Sequence, residues 1–193
     1  PGSYSIEVQR LASVQSNASG VYASADALVG EGTLRIELGT WGAGGSFTLK
    51  DGASAVNISV GPPAESLAQL RDKINALSSG VVASVLSDAS GARLVLRSAA
   101  TGEANGFRVG VTDSNGNNAD GLGLSALAFD PSAGVLTMAQ ALAAANAAAS
   151  LNGLSIGSDS NTLSNVLDGM TLSLGKVTSA PVLVEAKPDT ASI

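Results

Sequence analysis

The chain has 193 residues, enough for one large domain or two small ones, and 45% of them are hydrophobic, so a buried core is affordable. It contains neither histidine nor cysteine, which rules out Ser-His-Asp and Cys-His catalysis, Cys/His zinc sites and disulfides within it. A net charge of −6 with scattered cations argues against nucleic-acid binding, and no apolar run of about 18 residues is available to span a membrane. Pro1-Gly2-Ser3 reads as a cut point and not as a signal peptide, so the chain is expected to be a piece of a longer protein.

Taken in chain order, residues 4–11 alternate, with Tyr4, Ile6 and Val8 on one face of a half-buried strand. Residues 13–26 are rich in Ser, Ala, Asn and Gly and read as extended or looped chain. A second strand follows at 33–38, with Leu34, Ile36 and Leu38 inward, then a glycine turn after Trp41. Phe47 and Leu49 mark a short strand, Asp51-Gly52 a turn, and Val56, Ile58 and Val60 another strand.

The richest stretch is 66–98. Leu67, Leu70, Ile74 and Leu77 fall at helical spacing, Ser66 with Gln69 fits a capping box, Pro62-Pro63 blocks any upstream helix, and Gly80 is expected to end this one. Residues 81–86 and 93–98 then form a hairpin around Asp88-Ala89-Ser90-Gly91.

Beyond it, Phe107, Val109 and Val111 alternate as a strand, and a polar loop covers 113–121. Residues 122–129 are apolar without clear period, closed by Asp130-Pro131. The alanine-rich stretch 137–146 predicts a helix, with its end open to a strand reading because Asn152-Gly153 is a strong hairpin turn. A short helix is expected at 161–167, with Leu163, Val166 and Leu167 inward and Gly169 as its stop. Met170, Leu172 and Leu174 make a strand, residues 181–186 make the last, and Asp189-Thr190 suits a helix N-cap.

Two parts of this chain resemble known families. Ile74-Asn75, Gly80-Val81-Val82-Ala83-Ser84 and Gly91-Ala92-Arg93-Leu94-Val95-Leu96 are similar to the flagellin IN module of bacterial flagellar filament proteins. Leu151-Asn152-Gly153-Leu154, Ser160-Asn161-Thr162-Leu163 and Val166-Leu167-Asp168-Gly169-Met170-Thr171-Leu172-Ser173-Leu174 resemble the flagellar filament cap family, hook-associated protein 2 or FliD, with Met170 in place of the usual valine. Together they cover roughly residues 34–189, in the family's order.

The expected fold is α+β and mainly antiparallel β, in two β-rich domains with short helices, one inserted in the other. The resemblance places residues 1–31 plus 137–193 in a leg-proximal head domain and 32–136 in an inserted outer head domain with the IN module. The coiled-coil legs of the family are missing from this sequence. The role implied is a structural, secreted, homo-oligomeric cap at the distal filament tip, which promotes flagellin folding and insertion during filament assembly and so serves cell motility. It implies no enzyme activity and no cofactor, and partners that include further copies of itself, flagellin and the hook-filament junction proteins, with no nucleic acid and no membrane. The alternatives are an outer domain of a flagellin or junction protein, against which residues 168–174 argue, and a surface adhesin binding host mucin or glycan, which is compatible with a cap.

No catalytic, cofactor-binding or metal-binding residue is expected. Gly153-Leu154-Ser155-Ile156-Gly157 matches the nucleophile elbow in letters, but its first glycine belongs to the Asn-Gly hairpin and no histidine base exists. Asp113-Ser114-Asn115-Gly116-Asn117 is similar to half a calcium loop, yet Asn118 and Leu124 stand where Gly and Glu are needed. Gly121-Leu122-Gly123-Leu124-Ser125-Ala126 fits a dinucleotide pattern without its βαβ frame, and Asp168 reads as a turn residue. Trp41, the only tryptophan, has two readings: a partly buried loop anchor, or a contact on a partner surface.

Overall fold

A computed structural model describes residues 2–167 and 170–186. The strands and the helix are β1 (Gly2–Arg10), β2 (Ser16–Ala18), β3 (Gly32–Trp41), β4 (Phe47–Leu49), β5 (Val56–Val60), α1 (Leu67–Asn75), β6 (Val81–Asp88), β7 (Gly91–Ser98) and β8 (Gly106–Asp113). They continue with β9 (Phe129–Asp130), β10 (Val135–Leu136), β11 (Ala139–Leu142), β12 (Ala147–Leu151), β13 (Leu154–Ser158), β14 (Thr162–Leu167), β15 (Met170–Ser173) and β16 (Val182–Ala186). Every named pairing is antiparallel, as the alternating patterns require of sheets with one wet face.

The strands sort into four sheets. One has the order β13-β12-β1-β16, and a second runs β10-β9-β8-β3-β4, with β5 also on β3. The third has the order β11-β2-β7-β6, and the last is the β14-β15 pair. The larger core lies between the second and third sheets and α1, built from Leu34 and Ile36, Leu67, Leu70 and Ile74, Leu94 and Leu96, and Phe107. The smaller core gathers Ile6, Val8 and Ala12 with Ala147, Ala149, Leu151, Leu163 and Leu174. Gly2 pairs with Ala186, so the first and last described strands meet at one end of one sheet.

Several expectations hold in detail. Ile6 and Val8 are buried on β1, and Leu34 and Ile36 on β3. The β6-β7 hairpin forms as expected, its strands running on to Asp88 and from Gly91 around Ala89-Ser90, and Asn152 and Gly153 take positive φ of 50° and 82° in the β12-β13 turn.

Others are corrected. The alanine-rich stretch 137–146 is not a helix: residues 139–142 form β11, an outer strand on β2. Alanine favours helix, but it offers no apolar face to bury, and the open edge of β2 supplies backbone partners instead. Residues 161–167 are not a helix either: β14 pairs with β15, Leu163 opposite Leu172. A hairpin signal was present, since two residues, Asp168-Gly169, separate the strands. Gly169 as a helix stop, Asp168 as a turn residue and the Asp189-Thr190 cap lie outside the described residues.

The segment 13–26 is extended and looped as expected, holding β2, while the burial of Gln15, Asn17 and Ser19 was not foreseen. Helix α1 ends at Asn75 with Ala76 as its cap, before Gly80, and this leaves Leu77 42% exposed beyond the helix and not on its buried face.

Candidate assembly site

The capping box predicted for α1 is formed: Gln69 N donates to Ser66 Oγ at 3.2 Å and Ser66 N to Gln69 Oε1 at 2.9 Å. With the start set, Ile74 points into the core at 0% exposure and Asn75 emerges beside β6. The Asn75 side chain then pairs with the backbone of Ala83 as a neighbouring strand would. Its Nδ2 donates to Ala83 O and its Oδ1 accepts from Ala83 N, both at 2.8 Å. Strand β6 is an outer strand of its sheet, so this amide occupies backbone groups that would otherwise stay unpaired. Ser79 Oγ serves Val81 next door, accepting from its N at 3.2 Å and donating to its O at 3.1 Å. Gly80 is required between them: its φ is +72°, and a Cβ there would lie 2.5 Å from Leu38 Cδ1.

A second node is buried between the sheets. Gln15, fully buried, uses all of its amide: Nε2 donates to Phe107 O at 2.7 Å and to Asn17 Oδ1 at 3.2 Å. Its Oε1 accepts from Phe107 N at 3.0 Å and from Trp41 Nε1 at 2.9 Å. One side chain thereby joins the segment leading into β2, the start of β8 and the end of β3. Trp41 is half-buried, 4.4 Å from the Phe47 ring and 5.8 Å from Phe129 between centroids.

Beside it, the Arg108 guanidinium sits 5.0 Å above Phe47 and donates from Nε to Glu37 Oε2 at 2.7 Å. Arg35 Nη2 donates to the other oxygen, Oε1, at 2.8 Å. Burial pushes the Glu37 carboxyl up, but the hydrogen bonds and charges of Arg35 and Arg108 outweigh it and hold the group below the usual range. A folded-state pKa below the unfolded one stabilises at neutral pH, and that contribution is lost as pH falls from about 4.5 through the folded value. Glu37→Gln is therefore expected to flatten the acid limb of a melting-temperature profile. An unchanged slope below pH 4.5 would remove Glu37 from the acid response.

Amides also clasp strands within the smaller core, and one of them reaches the larger. Asn161 repeats the Asn75 arrangement on Ala12, accepting from Ala12 N at 2.7 Å and donating to Ala12 O at 2.9 Å. Asn152 Oδ1 accepts from Ser5 N at 2.8 Å, and Asn146 Oδ1 from Glu103 N at 2.9 Å. Gly102 packs against Asp159, whose Cβ would lie 2.6 Å from a Cβ on the glycine, and Gly102 N donates to Ser13 O at 3.1 Å.

The motifs met in the sequence fall where their local chemistry sends them. Gly153 through Gly157 run from the hairpin turn into β13. The Asp113 carboxylate accepts from Asn115 N at 3.0 Å and Ser125 N at 2.8 Å, so its oxygens hold the loop's own backbone. Gly121 through Ala126 form loop and a short 3-10 turn. Among the described residues no group of three or more Asp or Glu is placed to hold a metal ion, and no helix is long and apolar enough to cross a membrane. Gln15 and Asn146 were missed by sequence reasoning, whereas Asn75, Asn152 and Asn161 stand in the family motifs without their clasping role being legible there.

These features define a β-rich structural module whose sheets are joined at the buried Gln15 amide and whose strands are clasped by asparagine side chains. Residues 43–100 match the model of the flagellin hook IN motif. The B-type flagellar hook-associated protein 2 of Pseudomonas aeruginosa is 33% identical over the whole of this chain, which covers 40% of that protein. The crystal structure of FliD from P. aeruginosa PAO1 superposes with a TM-score of 0.72 at 31% identity, over 100% of this chain and 82% of that one. That of the FliD D2-D3 domains from Escherichia coli gives 0.73 at 26%, over 96% and 89%. The chain belongs to the flagellar cap protein family, FliD or hook-associated protein 2. It spans about two fifths of the length of the curated relatives it matches.

Proposed function

We propose that this chain is head structure of a protein that caps the distal tip of the bacterial flagellar filament, as a homo-oligomeric plate under which flagellin folds and inserts. The observation that carries the reading is the full-length match to a FliD crystal structure, at 31% identity, with the IN motif in place. The role is structural and non-enzymatic: subunit folding and packing supply the free energy, and no cofactor takes part. The partners are further copies, flagellin and the hook-filament junction proteins, with host mucin or glycan as an additional ligand class. Immunogold electron microscopy of the parent bacterium, with antibody to this chain, tests it. Label at filament tips is expected, while label along the whole shaft or on the cell body alone would overturn the cap.

The two-domain organisation is part of this reading, with residues 1–31 plus 137–193 around an inserted 32–136. Its support is the separation of the two apolar cores, with Asn146 on Glu103 N and Gly102 against Asp159 between them. Strands β2 and β11, which these bounds give to the outer segments, sit in the sheet of β6 and β7 and draw the crossings outward from 31/32 and 136/137.

Trp41, half-buried and beside the exposed Gly42 and Ala43, is proposed as a partner contact. Trp41→Ala is expected to lower the melting temperature, through roughly 3 kcal/mol of lost packing, and also to weaken oligomers. Unchanged association in sedimentation velocity, with the melting shift alone, would leave Trp41 as an anchor only.

A further inference from the structure

Two exposed apolar surfaces of opposite charge character stand apart from the sites above. The first is the outer face of the β11-β2-β7-β6 sheet. Register places Val82, Arg97, Ser16 and Leu142 in one row across all four strands, with Ser84, Val95, Ala18 and Ala139 in the next. Val82 is 52% exposed, Leu86 57% and Leu142 47%. The Arg97 side chain, in the middle, is exposed and has neither an ion pair nor a hydrogen-bond partner among the described residues, whereas those of Arg35, Arg71, Lys73 and Arg108 are all paired.

The second is a groove of about 310 Å³ between the loop after β2 and the loop before β9. Val21, Leu28 and Leu122 on its walls are 46%, 63% and 66% exposed. Asp26 and Asp120, near Leu28 and Leu122 in the chain, are exposed and form no ion pair among the described residues. Asp120 is spoken for as a hydrogen-bond acceptor from Ser125 Oγ and Leu122 N, which leaves Asp26 as the freer charge.

We propose that these surfaces are the two halves of one contact between copies: the Arg97 face of one copy docks on the acid-flanked Leu28-Leu122 groove of the next. This rests on the self-associating cap reading and deepens it. The argument is complementarity. Each surface is apolar, one carries the Arg97 cation and the other the Asp26 carboxylate, neither with an ion pair among the described residues, and a chain of net charge −6 brings few cations to any contact. Two different patches meeting make a heterologous contact, the kind from which rings close. An arginine in an apolar surround is also a frequent energetic centre of interfaces.

The test is sedimentation velocity on the full-length protein, comparing wild type with Arg97→Glu, Asp26→Arg and the double variant. Both positions are exposed, and circular dichroism checks that each variant folds. Each single reversal is expected to weaken association at least tenfold, and the double variant to recover most of it. The Arg97→Glu loss should shrink at high salt. Wild-type association with all three variants unchanged, and with Leu28→Ser and Leu122→Ser unchanged too, would overturn this contact and leave the cap reading standing. A wild type that stays monomeric at every concentration would overturn both.

Discussion

Replacing Gln15 by leucine is expected to lower the melting temperature by roughly 10 °C and to shift the emission of Trp41, the chain's only tryptophan. Leucine keeps the volume and the apolar burial, but it can neither donate to Phe107 O nor accept from Phe107 N and the Trp41 indole. Each buried group left without a partner costs about 1–3 kcal/mol, so the node is worth roughly 3–5 kcal/mol. That is a large share of the ~5–15 kcal/mol that holds a domain folded. Gln15→Glu should be at least as damaging at neutral pH, because a carboxylate would face the Phe107 carbonyl with nothing to donate. A leucine variant that melts within about 2 °C of wild type would show that the node is not a source of stability.

The second large effect concerns the Ile-Asn motif. Asn75→Ala is expected to cost about 2–3 kcal/mol, since it strips Ala83 of both backbone partners on an outer strand. Asn75→Asp separates the two bonds. The carboxylate still accepts from Ala83 N but meets Ala83 O lone pair to lone pair, so its folded-state pKa must rise above the unfolded value near 3.9. A raised folded pKa stabilises below the unfolded value and loses that contribution as pH rises. The aspartate variant should therefore be weaker than the alanine variant at pH 7 and recover towards pH 4 in chemical denaturation. Equal stability of the two at both pH values would argue that the clasp is ornamental to β6. Hydrogen exchange at Ala83 offers a direct readout, since its protection should vanish in Asn75→Ala while core amides of β7 keep theirs.

What the sequence determined by itself was everything governed by local rules. Alternation set Ile6 and Val8, and Leu34 and Ile36, inward; Ser66 and Gln69 capped α1; Asn152-Gly153 turned β12 into β13. The family could also be read, because the IN motif is made of residues with local duties: Ile74 in the core, Asn75 on Ala83 and Gly80 against Leu38. The structure explains the motif's spelling: an eight-residue spacing from Asn75 to Ala83 is what lets a helix end reach the strand it starts.

Tertiary structure alone decided the rest. Alanines 139 and 141 have no periodic face, so their conformation was settled by the free edge of β2 and not by helix propensity. Polar Gln15 and Asn17 lie in a stretch legible only as extended or looped, because burial of an amide makes sense only once its partners are known. Those partners stand up to 92 positions away, in β8. The same holds for the surfaces proposed to meet. Val82, Arg97, Ser16 and Leu142 share a row only because strands far apart in the chain pair in one register, which the period of any single strand cannot reveal.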